Sequence, residues 1–112
     1  MIVRISSAAV PESGHTAYLD YVQKVEIPAY EAAPGLVSVT LVRRNLGGYV
    51  EVLTFSIWHS EDALRRFGLP NQDVREEYEG VAFGVRYYET VLVRQGPSRE
   101  ICDIQSNLKP DD

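Results

Sequence analysis

Along the chain the spacing of apolar positions changes period several times, and each change marks an element. Val3, Ile5 and Ser7 alternate with Arg4 and Ser6, which predicts a short strand over Ile2 to Ala9, halted by Pro11. From His15 the period lengthens. Tyr18, Tyr21, Val22, Val25 and Ala29 recur at three- and four-residue steps, while Asp20, Gln23, Lys24 and Glu26 fall mostly elsewhere, the arrangement of an amphipathic helix. Ser13 is its candidate N-cap. Pro28 has no N–H to give the carbonyl of Lys24 and its ring crowds that turn, so a kink or break is expected there, with Pro34-Gly35 closing the segment.

Leu36 to Arg44 and Tyr49 to Trp58 are rich in β-branched and aromatic residues and flank Asn45-Leu46-Gly47-Gly48, a β-hairpin pattern. Ser60, followed by Glu61 and Asp62, has the character of an N-cap for a helix carrying Ala63, Leu64 and Phe67, stopped by Gly68 and Pro70. Asn71 to Tyr78 suits a further short helix, and Val81 to Arg94 a long final strand. The order βαββαβ is that of an α+β, ferredoxin-like domain with a four-stranded antiparallel sheet over residues 1–95. Residues 96–112 read as a tail, with Ile101, Ile104 and Leu108 available for burial, possible material for packing on a second subunit.

Both faces of the hairpin avoid charge. One parity places Val37, Val39 and Leu41 with Leu53, Phe55 and Ile57, the side expected to meet the helices. The other carries Leu36, Ser38, Thr40, Val42, Val50, Val52, Thr54 and Ser56, where a face open to water would carry more Lys and Glu. Two helices cover one side of a four-stranded sheet, so the second side is expected to meet an identical subunit in a two-fold dimer. A small domain, which buries its surface inefficiently, gains from such a partner.

Composition narrows the partners further. With 11 Lys+Arg against 16 Asp+Glu the formal net charge is -5 and no basic run occurs, so nucleic acid is not expected. No stretch reaches the roughly 20 apolar residues of a membrane span and the first residues lack a secretory apolar core, so a soluble cytoplasmic protein without membrane contact is expected. The one cysteine, Cys102, rules out an intrachain disulfide.

Candidate chemistry gathers where the third strand runs into the second helix, at Trp58 and His59. His59 is the candidate base, since an imidazole beside a helix start tends to stay neutral and proton-accepting. Trp58 offers a ring and an indole N–H, and equally suits a plug at the sheet-helix junction. Tyr18, Tyr21, Phe55, Tyr78 and Arg86 complete the candidate ligand-binding set, although the tyrosines serve a core as readily and Arg86 suits an ion pair with a glutamate across a subunit interface. His15 and His59 without a carboxylate at ligand spacing give no metal site.

The Pro-Gly turn before the second strand (APGLVSVTLVRR), with SIWHSEDAL at the end of the third, resembles the antibiotic-biosynthesis-monooxygenase-like family of dimeric α+β barrels over roughly Met1 to Arg94. The resemblance implies a homodimer with pockets between sheet and helices. It also implies cofactor-independent oxidation of an aromatic, polyketide-like or quinol molecule by oxygen, with no bound metal or flavin. Haem-degrading members place an Asn on the first strand, a Trp at the end of the third and a haem-ligating His in the second helical region. Here Trp58 matches by position, the first strand offers Ser6 and Ser7, and Gly68 to Gly80 holds no histidine, which argues against haem degradation. The alternative expectation is a non-catalytic barrel that binds a small molecule or serves as a stress or accessory protein.

Overall fold

The computed structural model describes residues 1–68 and 82–97. Strand β1 spans Ile2–Pro11, and a 3-10 turn, Glu12–Gly14, leads into helix α1, His15–Tyr21. A π-helical stretch, Val22–Glu26, joins α1 to helix α2, Ile27–Glu31. Strands β2, Leu36–Asn45, and β3, Tyr49–Trp58, form the hairpin; helix α3, Glu61–Phe67, and strand β4, Ala82–Glu89, follow. The sheet is antiparallel with order β2-β3-β1-β4, as the βαββαβ pattern predicts. None of the described helices is long and apolar enough to cross a membrane. The short helix expected over Asn71 to Tyr78 lies outside the described residues, as do Val81 and the tail beyond Pro97. The last strand ends at Glu89, where the expected one ran on to Arg94.

The helix entry differs from expectation. Ser13 sits inside the 3-10 turn, Gly14 occupies the cap position, and no side chain caps α1. At the far end Pro28 does disturb the helix, and the disturbance falls one turn upstream as the π stretch. An N–H missing at Pro28 leaves the Lys24 carbonyl without its usual donor, and a wider turn absorbs the mismatch. The wide turn also advances the helical phase. Tyr18, Leu19, Val22 and then Tyr30 are buried, whereas Val25 of the expected apolar stripe is 52% exposed and Ala29 lies in solvent.

The faces of the sheet are the main correction. In β3 the even-numbered side chains Val50, Val52, Thr54, Ser56 and Trp58 are buried against the helices, and Leu53, Phe55 and Ile57 turn to the other side. The hairpin turn decides this. Asn45 pairs with Val50 and Leu41 with Thr54, so odd residues of β2 share a face with even residues of β3. Within the turn, Asn45 Oδ1 accepts the N–H of Gly47 at 3.0 Å and Leu46 N–H donates to the Tyr49 carbonyl at 2.8 Å. Val39 and Leu41 therefore meet the helices as expected, but their neighbours on β3 are Ser56 and Thr54. A register shift between Leu36 and Ser38 sets Leu36 on the helix side as well and leaves Val37 43% exposed.

Two packed clusters lie under the helices. Tyr18, Leu19 and Val22 cover Ala8, Val10, Val50 and Val52 at one end of the sheet. Tyr30, Ala63 and Leu64 enclose Trp58 at the other, with Phe67 and Ile2 against them. Helix α3 is fixed there by its expected cap: Ser60 Oγ accepts the Ala63 N–H at 3.1 Å, and Glu61 and Asp62 occupy the first turn. The opposite face carries Val3 and Ile5 of β1 with Leu53, Phe55 and Ile57 of β3, and none of the described elements covers it.

Gly35, the last residue of the turn between α2 and β2, sits at φ +87° and a Cβ placed there would overlap the Cβ of Ala63, whereas Gly47, at φ +74°, has open space around it. Alanine at either position is forced into left-handed backbone, at roughly 1–2 kcal/mol. Gly35→Ala additionally drives a methyl into α3, so its urea midpoint should fall clearly below that of Gly47→Ala. Equal midpoints would show that α3 yields freely at this contact.

Candidate functional site

The alternation of β1 sends Val3 and Ile5 to the uncovered face and Arg4 to the helix side, in line with Ser6, Ala8 and Val10. Arg4 is 1% exposed. Burying a guanidinium costs several kcal/mol unless its charge is met and its N–H groups are bonded. One terminal nitrogen donates to the Gly68 carbonyl at 2.6 Å and the other to the Tyr30 hydroxyl at 2.9 Å. The guanidinium carbon lies 5.3 Å from the Phe67 ring centre and 5.6 Å from that of Tyr30, within cation–π range. Among the described residues no carboxylate pairs with it, and its buried Nε has no partner.

The positions of these groups follow from the local chain. Gly68 ends α3 at φ +85°, which turns its carbonyl out of the helix and toward the start of β1. Tyr30 reaches the same point because the π stretch advances α2 onto the inner face. Trp58 lies behind, wholly buried, with Phe67 at 5.0 Å and Tyr30 at 6.3 Å between ring centres. Among the described residues its indole N–H has no partner, and neither has the buried Oγ of Ser6, two residues along β1 from Arg4. A cavity of about 540 Å³ opens in front of Arg4, between the start of β1, the end of β4 and α3. Ile2, Leu64, Tyr87 and Tyr88 supply its apolar and aromatic wall, and Glu61, Arg65 and Glu89 its charged margin.

The candidate residues separate in space. Trp58 belongs to the aromatic wall behind Arg4, while His59, one residue on, is exposed, its backbone N–H bonded to the Gly35 carbonyl at 2.9 Å. Its imidazole does not line the cavity. Tyr18 and Tyr21 pack in the other cluster, at the far end of the sheet, with Phe83 at 6.1 Å from the Tyr18 ring. Phe55 and Arg86 are on the uncovered face, opposite and adjacent to Ile5, away from the helices. Tyr78 lies outside the described residues. His15 holds its Nδ1 2.7 Å from the Glu12 carbonyl at the α1 entry. Among the described residues no three His, Cys, Asp or Glu side chains are grouped to hold a metal ion. Neither histidine of the chain reaches the cavity, so it offers haem no imidazole ligand.

Arg4, Tyr30 and Phe67 were not singled out by the sequence. The pattern of β1 gives no clear signal for Arg4, since Val3 and Ile5 make the parity opposite Arg4 as apolar as its own.

Tyr30→Phe removes the only side-chain acceptor that the described residues give Arg4. A lost hydrogen bond to a charged group costs about 1.5–3 kcal/mol, so the variant should lose stability of that size and unfold at a lower urea midpoint. An unchanged midpoint would show that the phenol adds nothing to holding the guanidinium.

No family model and no curated protein matches the sequence. Solved structures do. A candidate antibiotic biosynthesis monooxygenase from Deinococcus radiodurans superposes with a TM-score of 0.68 at 16% identity, over 85% of this chain and 97% of that one. SnoaB, a cofactor-independent oxygenase from Streptomyces nogalater, in its N63A form, gives 0.61 at 16% identity over 82% and 95%. MhuD, a haem degrader from Mycobacterium tuberculosis with two haems bound in its active site, gives 0.63 at 19% identity over 85% and 100%. The chain thus has the ferredoxin-like α+β fold of the antibiotic-biosynthesis-monooxygenase structures, and the match with them is one of structure.

Proposed function

We propose that the protein is a homodimeric, cofactor-independent monooxygenase acting on an aromatic, polyketide-like or quinol molecule in the cavity before Arg4. The observation that carries this reading is a largely apolar cavity with a buried cation in its wall. Oxidation without a cofactor requires the substrate to lose a proton and offer an electron-rich anion to oxygen, so the pocket must favour negative charge and exclude water. For an anthrone, the ring methylene loses both hydrogens and gains one oxygen atom as a carbonyl, and the second atom of the oxygen molecule leaves as water. SnoaB lends the reading support as an oxygenase of the same fold.

Oxygen uptake by the purified protein with anthrone and quinol substrates tests it; uptake at the buffer rate for the whole panel would reject it for those substrates. Trp58→Phe should slow the reaction by loosening the wall behind Arg4. His59→Ala separates two proton routes. A fall of roughly 100-fold, the usual worth of a general base, assigns the proton to His59 at the strand end, and an unchanged rate leaves it to a tyrosine. The exposure of His59 outside the cavity favours a second reading, a small-molecule-binding barrel without turnover, for which the same panel would bind and consume no oxygen.

The uncovered face supports the dimer. Val3, Ile5, Leu53, Phe55 and Ile57 form a continuous apolar patch at the sheet centre, with Thr40 and Val42 beside it on β2. Burial against a second sheet removes this area from water at about 25 cal/mol per Å². Light scattering should give twice the 12.6 kDa chain mass. Phe55→Glu, which sets a carboxylate in the middle of the patch, should yield monomers; a wild-type particle of one chain mass would sink the proposal.

A further inference from the structure

We infer that the Arg4 cavity anchors a monocarboxylic acid, an apolar body whose single carboxylate lies against the Arg4 guanidinium. The inference rests on the reading of this cavity as a small-molecule site and holds with or without turnover. A guanidinium has five N–H donors in one plane. Among the described residues the Gly68 carbonyl takes one of those of Arg4 and the Tyr30 hydroxyl another, one at each terminal nitrogen. Three remain, including that of the buried Nε. Both acceptors are neutral, and the Phe67 and Tyr30 rings, 5.3 and 5.6 Å from the guanidinium carbon, carry no net charge. Among the described residues the group is thus held in place with its charge unmatched and part of its N–H fork open.

Two oxygens side by side fit that fork. A carboxylate accepts two parallel N–H bonds from an arginine, whereas an alcohol, an ester carbonyl or a phenol presents one oxygen. It also arrives charged. Ordinary carboxyl groups ionise near pH ~4 and phenols near ~10, so at neutral pH the acid brings an anion without first giving up a proton in the cavity. The walls set the rest of the guest. Ile2, Leu64, Tyr87 and Tyr88 bound a space of about 540 Å³, which suits an apolar body and not a small hydrated ion such as phosphate. Tyr87 stands opposite Arg4 in the β1–β4 ladder. At the margin Glu61 is held by Arg65 at 2.8 Å, and Glu89, at the end of β4, is exposed. Those two carboxylates repel a second negative group on the guest, so the acid carries its one charge at the Arg4 end.

4-Propylbenzoate, its methyl ester and 4-propylphenol share one body and differ in the head group, so together they test this. Trp58, the single tryptophan of the chain, is wholly buried with its ring centre 5.0 Å from that of Phe67, the ring beside Arg4. Its fluorescence therefore follows binding without a label. At pH 7 the wild type should bind the benzoate at least about tenfold more tightly than either neutral compound, the worth of one hydrogen bond to a charged group. Arg4→Met keeps the apolar stem and removes the charge; it should bind all three alike. Ester or phenol bound as tightly as the benzoate by the wild type, or a benzoate preference that persists in a folded Arg4→Met protein, would overturn the inference. Should Arg4→Met not fold, the wild-type series decides alone. A benzoate preference without oxygen uptake on the substrate panel retains this inference and rejects the oxygenase; uptake with equal binding of the three head groups does the reverse.

Discussion

Because Ile2 lies opposite Trp58 and Val10 opposite Val50, β1 and β3 present their even-numbered side chains to the same side, and that pairing selects everything the helices can cover. It collects Ala8, Val10, Val50 and Val52 under α1 and Trp58 under α3. It also carries Arg4 inward, since a strand cannot turn one residue without turning its alternate neighbours. A slip of one residue would expose Trp58 and bury Leu53, Phe55 and Ile57 instead. Both choices bury apolar surface, so the register needs a further determinant, and the Asn45-to-Gly48 turn with the Leu36–Ser38 irregularity supplies it.

The same ambiguity explains what could be read from the chain. Element order, the hairpin ends, the Ser60 cap and the stop at Gly68 were legible because each depends on residues close in sequence. Facing could not be read that way. β3 alternates two apolar sets, and choosing between them requires knowing which residues of β1 and β2 stand opposite. Phase along the first helix failed for a related reason: Pro28 announces a defect, but whether the chain breaks, kinks or widens by one residue decides whether Val25 or Tyr30 points inward.

For the site, Trp58 was legible as the end of a strand meeting a helix, while its partners were not. Arg4, Tyr30, Phe67 and Gly68 come from β1, α2 and the end of α3, and only the fold brings them within hydrogen-bonding or ring-contact range. His59 illustrates the converse. Adjacent to Trp58 in sequence, it faces the other way at the strand end, because neighbouring residues of an extended chain point to opposite sides.

A fold shared with oxygenases and with a haem degrader does not choose between their chemistries; the side chains at the cavity do. In this chain neither histidine reaches that space, whereas a guanidinium does, held from behind by an aromatic wall and a turned carbonyl. Such a cation is expensive to keep dry, and an apolar residue of similar volume would pack there at no electrostatic cost. Phe67 and Tyr30 recover part of that cost through their ring faces, and the Gly68 carbonyl another part, but both leave the positive charge in place. Among the described residues the cavity therefore differs from a plain apolar pocket by the buried cation in its wall. On the proposed reading of oxidation without a cofactor, forming the substrate anion precedes any reaction with oxygen, and a cation in the cavity wall would favour that step.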